Sequence, residues 1–347
     1  MSQKALLLQS KAGAFAVGTV PKPSSARKGE LVVKVQANAL NPVEWKIQAY
    51  GLFIPDEKYP VVLGVDVAGD VEDVGEGVVG FKKGDRVFFN GTFSDNEYAS
   101  YQQYTRAVAE IVAKIPANIS YSQASTIPAA FLTASIGLYA EAPIGLGLNP
   151  TFASGIKDHQ GKAAIVIGGS SSVGQYAIQL LRYLGFSTII AYASAHHFPY
   201  LKSLGATDFI DRKAVPFSDL SVAVKKITSA PVEIVYDAIS EGGSQQAGYD
   251  ALDNGGQIVL TLPDEIKDKV EGDGKKVLNV YGSAHPDSNR GFAITAFRNL
   301  PKFLEEGTFV PNRVEDLPNG LEGIVDGLKK LRNNQVSGVK LVAHPQD

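Results

Sequence analysis

Ala163-Ala164-Ile165-Val166-Ile167 is an unbroken apolar run that opens directly into Gly168-Gly169-Ser170-Ser171-Ser172-Val173-Gly174. A tight turn of this kind, from strand into helix, aims backbone N–H groups at a pyrophosphate held at the helix N-terminus. Gly168 and Gly169 permit unusual backbone angles, and Gly174 lets the helix pack close to the strand. Ser171 stands where the strict fingerprint has its middle glycine, so the motif misses by one residue. A serine still fits there, and its hydroxyl adds a phosphate donor alongside Ser170, Ser172 and the Val173 backbone. The alternative is a Gly/Ser loop with no ligand, against which stands its place on the first strand of a βαβ unit.

The next strand carries the second chemical signal. It ends in Ala191-Tyr192-Ala193-Ser194, followed by Ala195, His196 and His197. At about 20 residues past the glycines a carboxylate would bind an unmodified ribose. None stands here, so nothing repels a 2′-phosphate. Ser194, His196, His197 and Arg212 can donate to one, and the pattern favours NADPH over NADH. The two histidines equally suit an exposed loop without a ligand.

Metal chemistry is not expected. The chain has no cysteine, which removes a disulfide scaffold, a thiol nucleophile and cysteine-ligated zinc. Its histidines, His159, His196, His197, His285 and His344, show no ligand spacing with one another and a nearby carboxylate. With 347 residues, 44% hydrophobic, 20% charged and a net charge of −3, the composition is that of an ordinary globular protein of two domains. Charges of both signs are interspersed, which argues against a nucleic-acid partner. No apolar run reaches the length of a membrane span, and Met1–Leu8 reads as a strand rather than a signal peptide. A small-molecule partner and a cytoplasmic location are therefore expected.

These residues need elements to position them. Residues 1–125 read as short strands separated by turns, among them Leu31–Ala37, Val61–Val74 with Gly64, Gly69 and Asp70, and Arg86–Phe89 after the Lys82–Asp85 turn. Such a pattern suggests a partly open β-barrel. Ser122 to Leu138 reads as one helix, capped by Ser122 and kinked at Pro128, and Ala142 to Gly161 as a Gly/Pro-rich loop. From Ala163 to Leu262 strands and helices alternate, implying a doubly wound parallel sheet. Its last strand, Gln257–Leu262, carries Leu260 and Thr261, two further cofactor-binding candidates. Two amphipathic helices, around 292–305 and 319–332, precede a terminal strand, Lys340–Ala343. The expected division is a barrel of residues 1–125 and 285–347, with a nucleotide domain of residues 126–284 between. Val277–Ser283 reads as an edge strand, which either pairs two subunits or lines the substrate cleft, so both monomer and homodimer stay open.

Taken in order, five segments resemble the medium-chain dehydrogenase/reductase superfamily, and specifically its zinc-free quinone and enoyl reductase branch. They are Asn38–Lys46, similar to the branch's Asn-Pro-x-Asp segment with Glu44 for Asp; Gly64-Val65-Asp66-Val67-Ala68-Gly69; Val74-Gly75 with Phe81 and Gly84–Val87; Pro128–Ala134; and Ser337–Val342. The match looks closest to fungal trans-acting enoyl reductases. The resemblance implies a Rossmann domain beside a GroES-like barrel. It also implies cofactor contacts at Lys46, Ser171, Ser194, Ser337, Gly338 and Lys340, with Thr133 at the nicotinamide end. Arg212 stands where those enzymes often carry tyrosine against the adenine, and an arginine can stack there or pair with phosphate. Where zinc-dependent relatives have Gly-His-Glu, this chain has Gly64-Val65-Asp66.

Without a Lewis acid, reduction of a C=C bond conjugated to a carbonyl suits the site best, with Tyr50 as a candidate proton donor and small-molecule or acyl-carrier-bound enoyl compounds as substrates. A quinone acceptor and a non-catalytic nucleotide-binding role are the competing readings.

Overall fold

Fully buried parallel strands read as continuous apolar runs, because helices cover both faces of the sheet. Ala163–Ile167 meets that description, with every residue buried. The computed structural model describes residues 1–156 and 158–347. In it this strand lies inside a six-stranded sheet, all parallel. The spatial order is Asp208–Asp211, Thr188–Ala193, Ala163–Ile167, Val232–Asp237, Gln257–Leu260 and Lys276–Asn279. The chain starts in the middle, winds to one edge, then returns and winds to the other. Strand order therefore reverses between Ala163–Ile167 and Val232–Asp237, the place where such sheets hold ligands. Lys276–Asn279 is the outer edge, shorter than the segment read from sequence.

The sheet belongs to one of two compact units, formed by Ala130–Phe292 with Thr308–Val310. Met1–Ala129, Ala293–Gly307 and Pro311–Asp347 form the other. There, Glu30–Ala39 pairs antiparallel with Asp66–Val74, Tyr104–Val108 and the terminal strand Lys340–Ala343. Register shifts between Val32 and Val33 and between Val35 and Ala37 bend the strand, as barrel closure requires. Leu31, Val33 and Val35 pack with Val67, Val71, Val87 and Phe89 in its core. The C-terminal strand thus completes the N-terminal barrel, and the architecture is α/β, a doubly wound parallel sheet with a partly open β-barrel.

Three expectations change. Residues 122–138 form not one kinked helix but two, Tyr121–Ser125 and Pro128–Tyr139. Ser120, not Ser122, caps the first, in a capping box with Gln123. Pro128 opens the second, where its fixed φ fits and its missing N–H costs nothing. Ser244–Ala251 is a helix that apolar periodicity does not announce, since its buried face includes Ser244, Gln245 and Gly248. In the loop from Ala142 to Gly161, Lys157 lies outside the described residues.

Candidate active site

The glycine turn is built as its residue types require. Gly168 has φ +72°, and the Gly168 and Gly169 N–H groups both donate to the Tyr192 carbonyl, at 3.0 and 3.2 Å. A Cβ on Gly174 would stand 2.3 Å from the Gly168 carbonyl oxygen, so helix Ser172–Tyr183 reaches the turn only because that position is glycine. Ser171 is the helix N-cap. Its Oγ accepts from the Gly174 N–H at 3.0 Å, which spends one lone pair and leaves its proton to donate. Ser170 is held from behind, its carbonyl accepting from Gln175 Nε2 at 2.9 Å. Ser172 and Val173 open the helix.

At the end of the next strand, Arg212 Nε donates to Ser194 Oγ at 2.8 Å. Ser194 is buried and Arg212 is exposed, so the pair presents a guanidinium braced by a fixed hydroxyl. The His196 and His197 rings lie 3.9 Å apart, but His197 is buried and only His196 faces solvent. Thr133, on helix Pro128–Tyr139, is partly buried, and its carbonyl accepts from the Tyr236 hydroxyl at 2.8 Å. A Cβ on Gly282 would fall 1.9 Å from Thr133 Oγ1, so the chain passes directly over that hydroxyl. Leu260 is a core residue with no exposure, and Thr261 supplies the side chain at that strand end.

Tyr50, Lys46, Ser337, Gly338 and Lys340 belong to the barrel unit. Lys46 is partly buried on helix Pro42–Tyr50, its ammonium 5.7 Å from the Trp45 ring centre. Tyr50 ends that helix and is 63% exposed, its ring 6.0 Å from Trp45, so nothing in its setting marks it as a proton donor. Ser337 is exposed, and the Gly338 carbonyl accepts from Arg313 Nε at 3.1 Å. Lys340 is already engaged within its own unit. Its ammonium is buried, 2.7 Å from Asp66 Oδ2, and donates to Asn41 Oδ1 at 2.8 Å. It neutralises an internal carboxylate.

That ion pair anchors a network that the sequence reading did not assemble. Asn41 Nδ2 donates to Asp66 Oδ2 at 2.9 Å, and the Ala129 N–H donates to Oδ1 at 2.7 Å. Glu44 is fully buried, with Oε2 accepting from the Asn41 N–H at 2.6 Å. Burial pushes its carboxyl up to about 8 against the pull of that N–H, and the Asp66 charge adds to the rise. The buried Tyr101 hydroxyl is likewise pushed up, first by burial and then by Glu44 and Asp66. The three-residue step from Asn41 to Glu44 is a capping-box spacing, a local signal that could have flagged this cluster.

Residues 27–134 match the alcohol dehydrogenase GroES-like domain, and residues 172–284 match the zinc-binding dehydrogenase domain. A zinc-type alcohol dehydrogenase-like protein of Schizosaccharomyces pombe is 32% identical over 362 residues, covering 98% of this chain and 99% of its own. The chain belongs to the medium-chain dehydrogenase/reductase superfamily. A trans-enoyl reductase of Alternaria alternata is 31% identical over 357 residues, 99% of this chain and 98% of that one. The quinone oxidoreductase of Coxiella burnetii shares the fold, with a TM-score of 0.75 at 24% identity over 99% of both chains. Within the superfamily the chain is an oxidoreductase.

The zinc that some superfamily names imply does not fit these residues. Both Asp66 oxygens are taken by N–H donors, one of them the Lys340 ammonium, and Val65 offers no ligand atom. Among the described residues no three His, Asp or Glu side chains gather as a metal-ligating group. A nicotinamide dinucleotide does fit. The turn has the close helix approach that only Gly174 allows, and the strand end carries a serine and an arginine in place of a carboxylate. Among the described residues no helix is long and apolar enough to cross a membrane.

Proposed function

We propose that the protein is an NADPH-dependent reductase of C=C bonds conjugated to a carbonyl, acting on small-molecule or carrier-bound enoyl compounds. The observation that carries the cofactor preference is the Ser194–Arg212 hydrogen bond at the strand end, where an NADH enzyme would carry a carboxylate. The relatives' names carry the reaction class, above all the trans-enoyl reductase matched over nearly the whole chain.

NADPH, when bound, supplies the hydride, which goes to the β-carbon of the enone. The chain's own residues bind, orient and neutralise. The Gly168–Gly174 turn and the dipole of helix Ser172–Tyr183 meet the pyrophosphate, and the Ser171 hydroxyl keeps a proton to donate to it. Arg212, braced by Ser194, takes the 2′-phosphate, and the exposed His196 is assigned to the same group. Thr133, walled by Gly282, lines the nicotinamide end. Lys46, Ser337 and Gly338 are the barrel residues we assign to the remaining cofactor contacts. With Tyr50 exposed and Asp66 fully engaged, water is the simplest proton source for the enolate α-carbon.

Steady-state NADPH oxidation against enones, enals, enoyl thioesters and quinones tests the reading. Turnover of the conjugated carbonyl compounds, with saturated carbonyl products, is expected. Turnover of quinones alone would move the protein to the quinone reductases. Tight NADPH binding with no turnover of any acceptor would make it a nucleotide-binding protein without catalysis.

A further inference from the structure

The carboxyl ends of Ala163–Ile167 and Val232–Asp237 lie side by side where the strand order reverses. One wall of the crevice outside them is the glycine turn. The other is Ala238–Ser240, and its construction is unusual. Ser240 has φ +54°, a left-handed conformation uncommon for a residue with a side chain. Ile239 stays 41% exposed and is seated on the glycine turn, since a Cβ on Gly168 would lie 2.5 Å from Ile239 Cγ1.

Asp237 holds this wall in place without any exposure of its own. Its Oδ1 accepts from the Ile239 and Ser240 N–H groups at 3.0 and 2.8 Å, and its Oδ2 accepts from the Ser244 hydroxyl at 2.6 Å. The Ser240 hydroxyl donates to the Asp237 carbonyl at 2.8 Å and accepts from the Thr261 N–H at 2.9 Å. Gln245 then ties the Ser240 carbonyl to the Pro263 carbonyl, donating to each at 2.9 Å. The loops after two adjacent strands become one piece, joined by buried polar side chains. Buried polar groups cost stability unless paired, and a fully paired set fixes one geometry. Backbone strain such as that at Ser240 persists only where its surroundings over-determine it.

Resting on the dinucleotide reading above, we propose that Asp237 is a positioning residue for the cofactor, fixing the crevice wall opposite the glycine turn. It acts through shape. An asparagine can accept both backbone N–H groups through its oxygen and donate its amide to Ser244, whose hydroxyl proton rotates away. An alanine can do neither.

The test uses the full chain, with NADPH affinity by fluorescence titration, kcat and KM with an acceptor turned over by the wild type, and thermal melting. Asp237→Ala should raise the NADPH Kd and KM about tenfold, the loss of a buried hydrogen-bonded anchor, while kcat changes less than about threefold. Asp237→Asn should stay within about twofold of wild type, and Ser240→Ala should fall between the two. The NADPH to NADH preference should not move in any of the three, because Ser194 and Arg212 are untouched. A folded Asp237→Ala protein with unchanged Kd would overturn the proposal, as would equal losses in the alanine and asparagine variants. If Asp237→Ala does not fold, Ser240→Ala decides, an unchanged Kd again overturning it. A wild type that binds no nicotinamide dinucleotide defeats the parent reading instead, before any variant is made.

Discussion

Asp237 in the nucleotide unit and Glu44 in the barrel unit are both buried without exposure, yet their oxygens meet different surroundings. Asp237 accepts three hydrogen bonds, two from N–H groups and one from a hydroxyl. Glu44 accepts from the Asn41 N–H, and its neighbours include a second carboxylate, Asp66, and the Tyr101 hydroxyl. Lys340, whose charge pulls the Glu44 carboxyl back down, is engaged by Asp66 and Asn41. A buried acid ringed by donors serves as a staple. Burial pushes both carboxyls up; at Asp237 the Ser244 hydroxyl and two N–H groups pull back, whereas at Glu44 the Asp66 charge adds to the rise.

The contrast can be broken in four places. The largest effect is expected at Lys340. Lys340→Met leaves Asp66 buried without its cation and should cost about 3–5 kcal/mol in urea unfolding, while the added change Asp66→Asn should recover part of that. A loss below about 1 kcal/mol would mean that the ion pair does not hold the barrel.

Glu44 makes stability depend on pH in a direction opposite to that of an ordinary salt-bridged acid. Below its unfolded value, near 4.5, both states hold the proton and nothing is lost. As pH rises towards about 8 the unfolded chain releases the proton and the folded one does not, so folding weakens. Between pH 5 and 8 this group should remove about 3 kcal/mol, read from denaturant midpoints, and Glu44→Gln should flatten that slope. An unchanged slope in the variant would show that Glu44 is ionised in the folded barrel.

Ser194→Asp sharpens the account of the nucleotide unit. A carboxylate beside the 2′-phosphate should shift kcat/KM about tenfold or more towards NADH, close to 1.4 kcal/mol. An unchanged ratio would remove Ser194 from the phosphate site. The smallest effects separate two helix caps. Ser120→Ala and Ser171→Ala should each cost about 1 kcal/mol of stability, but only the second should weaken NADPH binding. Equal NADPH affinity in both would leave Ser171 a cap and nothing more.

Much of this was legible in the sequence because local chemistry demands it. The glycine turn, the strand–helix alternation and the closing strand from Lys340 each follow from residues that few other conformations suit. The same holds for the absence of a carboxylate at Ser194. What stayed hidden depends on partners far apart in the chain. No local pattern says that Lys340 turns inward to Asp66 and Asn41, or that Ser240 joins Asp237 to Thr261. Helix Ser244–Ala251 is hard to read for a related reason, since its buried face mixes Ser244, Gln245 and Gly248 with Ala247, Tyr249 and Ala251 and so blurs the apolar period.

The reaction proposed for this chain is hydride delivery to a conjugated carbon. Turnover of an enone with 4-deuterated NADPH in ordinary water, followed by NMR of the product, tests it most directly. The account predicts a saturated carbonyl compound with deuterium at the β-carbon and a solvent proton at the α-carbon. Deuterium on the carbonyl carbon of an alcohol product would contradict it.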